Sequence, residues 1–146
     1  MKIVMASHHF PPRYTGGVEL ITQRAAHWLL DQGYEVEIVC IESVDHNNVA
    51  SKLEAKLDVY EGIPVHRLYL TQSSQEDPFQ NSYRNPVIGI WFEKYLEAVK
   101  PDIFHIQSCY LFSASIIDAA KKTKNTYYPF FTRLLVHLSP NNAVTS

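Results

Sequence analysis

The sequence predicts an open, mostly parallel α/β sheet flanked by helices, and three observations carry that expectation. Short, continuous apolar runs such as that of Lys2 to Ala6, where one lysine precedes four apolar residues, suit strands covered on both faces. Amphipathic stretches with three- and four-residue apolar spacing fall between these runs. The alternation of the two persists through the first 120 residues, as a parallel sheet with helical crossovers requires.

The first strand, Lys2 to Ala6, leads into HHFPPRYTGG, whose prolines and glycines mark a loop. A helix is expected from near Val18. Val18, Ile21, Ala25, Trp28 and Leu29 form its apolar stripe, and Gly33 supplies a left-handed stop. Glu35 to Ile41 reads as the second strand, completing a βαβ unit with a right-handed crossover. Val49 to Leu57 suggests a polar helix. In LDVYEGIPVHRLYL, two β-branched and aromatic runs joined by Glu61-Gly62 suggest a hairpin or a turn into a third strand. Thr71 to Ser82 is polar and aperiodic, and is expected to be an exposed loop. From Pro86 the spacing is helical again, with Val87, Ile90, Trp91, Tyr95, Leu96 and Val99 on one face and Pro101 as the stop. Asp102 to Ile106 reads as a strand, and Leu111 to Ala120 as a further amphipathic segment.

Composition narrows the function classes. The chain has 146 residues, 46% hydrophobic, with 13 Lys+Arg against 15 Asp+Glu. That is one domain's length with enough apolar content for a core. A formal charge of -2 gives no general attraction to nucleic acid or to an anionic membrane. Cys40 and Cys109 lack metal-ligand or redox spacing and read as free thiols. The N-terminus has no signal-peptide pattern, and no apolar stretch reaches the ~18 residues of a membrane span. A cytoplasmic location is the expectation.

Ligands of such sheets bind at the carboxyl ends of the strands. Gly16 and Gly17 stand just before a helix, where free amides and the positive end of the macrodipole favour an anion such as phosphate, although a plain turn gives the same dipeptide. Glu19, in the first turn, either complements the dipole or accepts hydrogen bonds from a sugar hydroxyl. His8 follows the first strand. His8 and His9 lack a third ligand, so no metal is expected. His105 lies inside a strand, as a core or rim residue or as part of a pocket. Gln107, Ser108 and Tyr110 follow at that strand's end. His8, His105, Gln107 and Tyr110 are candidates for an acceptor pocket. No P-loop, GxSxG, HExxH or GxGxxG is present, and no cofactor is expected.

Taken together, KIVMASHHFPPRYTGGVELITQRAAHWLLDQGYEVEIVC and YRNPVIGIWFEKYLEAVKPDIFHIQ resemble the start of family 4 glycosyltransferases, retaining enzymes of the GT-B type. The similarity runs from Met1 to about Lys122. It implies a Rossmann-like N-terminal, acceptor-side domain, half of a GT-B fold, with Gly16, Gly17 and Glu19 near the phosphates of a nucleotide-sugar. It also implies an acceptor glycan or lipid, and work near the inner face of the membrane. The family's second domain, which holds most of the donor, does not lie within these residues, so a separately encoded donor-binding domain is a further expected partner. No catalytic residue is assigned.

Residues 123–146 leave the family pattern and form a non-family tail. The resemblance leads one to expect IPTxLxLHDxW there. Synonymous codons for Asn125 onward, shifted by one base, spell IPTILFLHDFWFICPR, and Lys121 to Lys124 is compatible with an A-rich tract. A frameshift, genuine or from sequencing, is therefore expected to truncate the domain after about Lys122. His137, in LLVHLSP, is not the family's histidine. A makeshift strand is expected at Tyr127 to Phe131 or at Leu134 to Leu138. The alternative to an enzyme fragment, inactive alone, is a non-catalytic sugar- or phosphate-binding or interaction module.

Overall fold

The computed structural model describes residues 1–123 and the backbone of 127–128. The remaining tail assignments, the Leu134 to Leu138 strand and His137 lie outside the described residues. Six strands, β1 (Lys2–Ser7), β2 (Glu35–Asn47), β3 (Lys52–Tyr60), β4 (Ile63–Ser73), β5 (Ile103–Ile106) and β6 (Tyr127–Tyr128), form one sheet in the order β3-β4-β2-β1-β5-β6. All neighbours pair in parallel except β3, which runs antiparallel to β4. This is the expected mostly parallel α/β sheet. β6 meets β5 within the span anticipated for a tail strand.

Helix α1 (Gly17–Asp31) crosses from β1 to β2 and covers one face of the sheet. Beneath it lie Ile3, Met5, Phe10, Ile38, Val65 and Ile103, all nearly or fully buried. The other face is covered by α3 (Pro86–Val99) and α4 (Ser115–Lys122). Their core centres on Phe92, whose ring meets those of Phe104, Phe112 and Tyr95 at centroid separations of 5.9, 5.4 and 6.4 Å. Because both faces are covered, β1 and β5 are buried almost throughout, which accounts for the continuous apolar run Ile3 to Ala6 in β1 and for the three apolar residues of β5.

Four local expectations need correction. Val49 to Leu57 is not helical: residues 52–60 form β3. Leu53, Ala55, Leu57 and Val59 alternate with charged residues, and a two-residue turn at Glu61 and Gly62, both with positive φ, folds this strand onto β4. The stripe of α1 is turned: Thr22, Ala25, Ala26 and Leu29 are buried, while Ile21 and Trp28 stand 46% and 45% exposed. Small side chains on the inner face permit close approach to the sheet. In α3 the buried set is Ile88, Phe92, Tyr95 and Leu96, and Ile90 points outward. Finally, the Thr71 to Ser82 segment begins as the end of β4 and contains α2 (Pro78–Tyr83), started by Asp77, whose carboxylate accepts the Phe79 amide at 2.9 Å.

Buried polar groups tie the loops to this frame. Arg67 of β4, 5% exposed, donates to the Pro11 carbonyl at 2.7 Å, to Glu42 at 3.0 Å and to Asp58 at 2.9 Å. It thereby fixes the β1–α1 loop over the sheet. On the opposite face, Glu37 receives His66, Lys2 and the Tyr95 hydroxyl. Asn85, ahead of α3, donates its amide to the hydroxyls of Ser113 and Ser115.

Candidate functional site

The chain leaves β1 in one direction toward β2 and β4, and returns on the other side of β1 to build β5. The strand order therefore reverses between β1 and β5, and the crevice beyond their carboxyl ends is the expected ligand position in an open α/β sheet. His8 follows β1 there. Gln107 follows β5, held by a 2.8 Å hydrogen bond from its amide to the Ala6 carbonyl. Tyr110 closes over His8 edge-on, with ring centroids 5.4 Å apart, and is 66% exposed. His8 and Tyr110 thus meet, and the backbone of Gln107 lies beside the end of β1. His105 sits opposite Met5 within β5 and is fully buried.

Gly16 is the N-cap of α1 and Gly17 its first residue. Their surroundings differ. A Cβ on Gly16 would come within 2.6 Å of Glu19 Oε2, whereas one on Gly17 would meet nothing within 4 Å. The Glu19 carboxylate is therefore folded back over Gly16, where it complements the positive end of the helix. Its other oxygen lies 3.5 Å from His8 Nε2. Glu19 is 7% exposed, so its carboxylate sits within the first turn of α1 at Gly16, while Gly17 has room for a side chain.

Burial and then the neighbouring His9 hold the His8 pKa below the usual 6.5, with Glu19 opposing them. His8 is consequently neutral at pH 7. Its Nδ1 and the Oε1 of Gln107 are buried without a hydrogen-bond partner among the described residues. Buried polar atoms in this condition have an unfilled capacity to bind.

Several neighbours escape a reading of the sequence. His9 stacks on Tyr14 at 3.6 Å and donates from Nδ1 to the Ile41 carbonyl. Arg13 and Tyr14 both donate to the Glu42 carbonyl. With Ser43, Asp45 and Tyr110 they border a cavity of about 290 Å³. A second cavity, of about 180 Å³, continues past Val44 and Leu111 to Gln72 and Asn85. Both exist because β2 and β4 run on beyond the end of β1. Leu111 and Ser113, in the loop after β5, have φ of 67° and 62°, a left-handed conformation that disfavours a bulky side chain. Among the described residues no group of three or more His, Cys, Asp or Glu is placed to hold a metal ion. No described helix is long and apolar enough to cross a membrane.

No family model matches the chain. A curated protein of Klebsiella pneumoniae, described as an uncharacterized 42.6 kDa protein in cps region, is 28% identical over 138 residues, covering 85% of this chain and 34% of that protein. Among solved structures, the catalytic domain of starch synthase IV from Arabidopsis thaliana, bound to ADP and acarbose, superposes with a TM-score of 0.48 and 16% identity. That match covers 86% of this chain and 32% of the other. The chain spans about a third of the length of each.

Proposed function

We propose that residues 1–122 are the acceptor-side, Rossmann-like half of a retaining glycosyltransferase of the GT-B type, which moves a sugar from a nucleotide-sugar to a glycan or lipid acceptor. The observation that carries this reading is the uncapped N-terminus of α1 at Gly16 and Gly17, tied through Glu19 to His8 at the end of the β1 side of the crevice, near the unpartnered polar atoms of His8 and Gln107. A helix N-terminus offers its first amides and its partial positive charge to phosphate. The sugar and the acceptor hydroxyls would then meet His8, Gln107 and Tyr110. Neutral His8 presents one N–H and one lone pair, which suits a hydroxyl.

Glu19 has two roles in this reading. In the free protein it neutralises the helix end, and with the donor bound it turns outward to accept a hydrogen bond from sugar. Stabilising the departing phosphate calls for groups on two facing domains, so these 146 residues by themselves do not turn over. In this reading a facing domain holds the nucleotide. Incubation of the purified chain with a labelled nucleotide-sugar and water or glycan acceptors is expected to give no release above the protein-free background, and release above it overturns the inactive reading. The DNA across the last 30 codons tests the proposed frameshift: a neighbouring frame without an LHD peptide rejects it.

A second reading, a non-catalytic module whose paired glycines only make a turn, is favoured by one observation. The Glu19 carboxylate already covers Gly16.

A further inference from the structure

Strand β3 ends the sheet, and its outer edge is uncovered among the described residues. Tyr60 and Ile63 flank the two-residue turn and form a hydrogen-bonded pair. Counting back by twos, residues 58, 56, 54 and 52 turn their backbone groups toward β4. Leu53, Ala55, Leu57 and Val59 turn theirs outward, leaving a row of unpaired donors and acceptors. Leu57 and Val59 also expose 67% and 65% of their surface.

Lysines on an edge strand ordinarily prevent pairing. Here their sequence does something more specific. In Lys52-Leu53-Glu54-Ala55-Lys56-Leu57-Asp58 each charge is mirrored about Ala55 by its opposite. An antiparallel partner with the same sequence, related by a two-fold axis at Ala55, sets Lys52 against Asp58 and Glu54 against Lys56, each twice. Leu53 then faces Leu57, also twice. The backbone parity agrees, because Ala55 and the Leu53–Leu57 pairs are the outward-bonding positions. Shifting the axis to residue 53 or 57 keeps only two of the four charge pairs, and parallel in-register pairing sets like against like. Within the chain these charges are only partly engaged, Lys56 Nζ lying 4.8 Å from the centre of the Tyr69 ring. No ion pair among the described residues reaches Lys52, Glu54 or Lys56, and Lys56 stands opposite Arg67 in β4. Asp58 gives one oxygen to Arg67 and is 50% exposed.

We propose that β3 is a self-recognition edge, which pairs antiparallel with the β3 of a second copy of this chain about a two-fold axis at Ala55 and joins two sheets into one. An isologous contact of this kind closes as a dimer, and opposite charges directly across the strands set its register.

Sedimentation equilibrium of the full chain tests this, with variants that alter charge without altering length. The wild-type chain is expected to dimerise. Glu54→Lys or Lys56→Glu alone places like charges across the axis and is expected to weaken the dimer by about tenfold or more, whereas the double exchange restores opposite pairs and recovers most of the affinity. Ala55→Pro removes an outward amide that β4 does not use. It is expected to leave a folded monomer by circular dichroism. A chain that stays monomeric at about 100 μM, well above the Kd of a useful homodimer, overturns the proposal. So does a dimer indifferent to the single exchanges, or a double exchange no tighter than the singles.

Discussion

The carboxylate of Glu19 lies 3.5 Å from Nε2 of His8, so the first turn of α1 is in contact with the residue that follows β1. This contact joins the helix mouth to the crevice between β1 and β5. It also makes the two residues report on each other.

His8 is therefore expected to titrate below 6.5, because burial and His9 outweigh Glu19. Removing the Glu19 charge in Glu19→Gln takes away the one influence raising that pKa, so His8 should titrate lower still. With the folded value depressed, the native state binds fewer protons than the unfolded one. The contribution of His8 to stability is then present above 6.5 and is lost as pH falls through the lowered folded value. NMR titration of the imidazole protons checks both points, and a His8 pKa that rises in Glu19→Gln contradicts them.

Arg67→Ala should cost about 3–5 kcal/mol, since it leaves Glu42 and the Pro11 carbonyl without their buried partner. Lysine cannot supply the three directions that the guanidinium fills, so Arg67→Lys should recover little of this loss. Urea denaturation measures both. A loss below about 1 kcal/mol for Arg67→Ala, the level of an exposed pair, would show that the loop is held by other contacts.

Glu37 should give the fold an acid-sensitive step. Burial opposes its ionisation, but the hydrogen bonds from His66 and Lys2 and their charges prevail and hold its pKa below 4.5. The associated stability is present above the ordinary carboxyl value and disappears as pH falls through the lowered one. Thermal melts between pH 3 and 7 should show a shallower acid decline in Glu37→Gln than in the wild type. Equal slopes would remove Glu37 from that account.

The two thiols should separate by reactivity. Burial pushes the Cys40 thiol up to about 12, while Cys109 is only half-buried, though burial raises it as well. Alkylation of the native protein is expected at Cys109 well before Cys40. Equal labelling rates would indicate that the β2 region opens readily.

Much of this arrangement is legible in the order of residues. The continuous apolar run Ile3 to Ala6 marks β1, the mainly apolar segment after Pro101 marks β5, and Glu61-Gly62 announces the hairpin. The placement of His8, Gln107 and Tyr110 follows from their positions just after parallel strands. The residues that were misplaced share a physical cause. β3 was hidden because its apolar residues alternate with charges on an edge where little is buried, and a polar helix has similar composition. The turn of α1 depended on which face admits Ala25 and Ala26 to the sheet, a matter of packing rather than of spacing. The grip of Arg67 on Pro11 spans 56 residues, and no local pattern encodes it. His105 reads from sequence as a strand residue, and it lies fully buried opposite Met5 within β5.

The donor-phosphate proposal at the mouth of α1 is tested most directly by amide NMR of the labelled chain titrated with a nucleoside diphosphate sugar. Saturable shifts are expected at Gly16 and Gly17, accompanied by movement of the His8 ring signals as Glu19 swings away. Half a donor site implies weak binding, with a Kd of about 1 mM. Unchanged Gly16 and Gly17 amides at about 10 mM ligand, or shifts confined to another part of the fold, would contradict it.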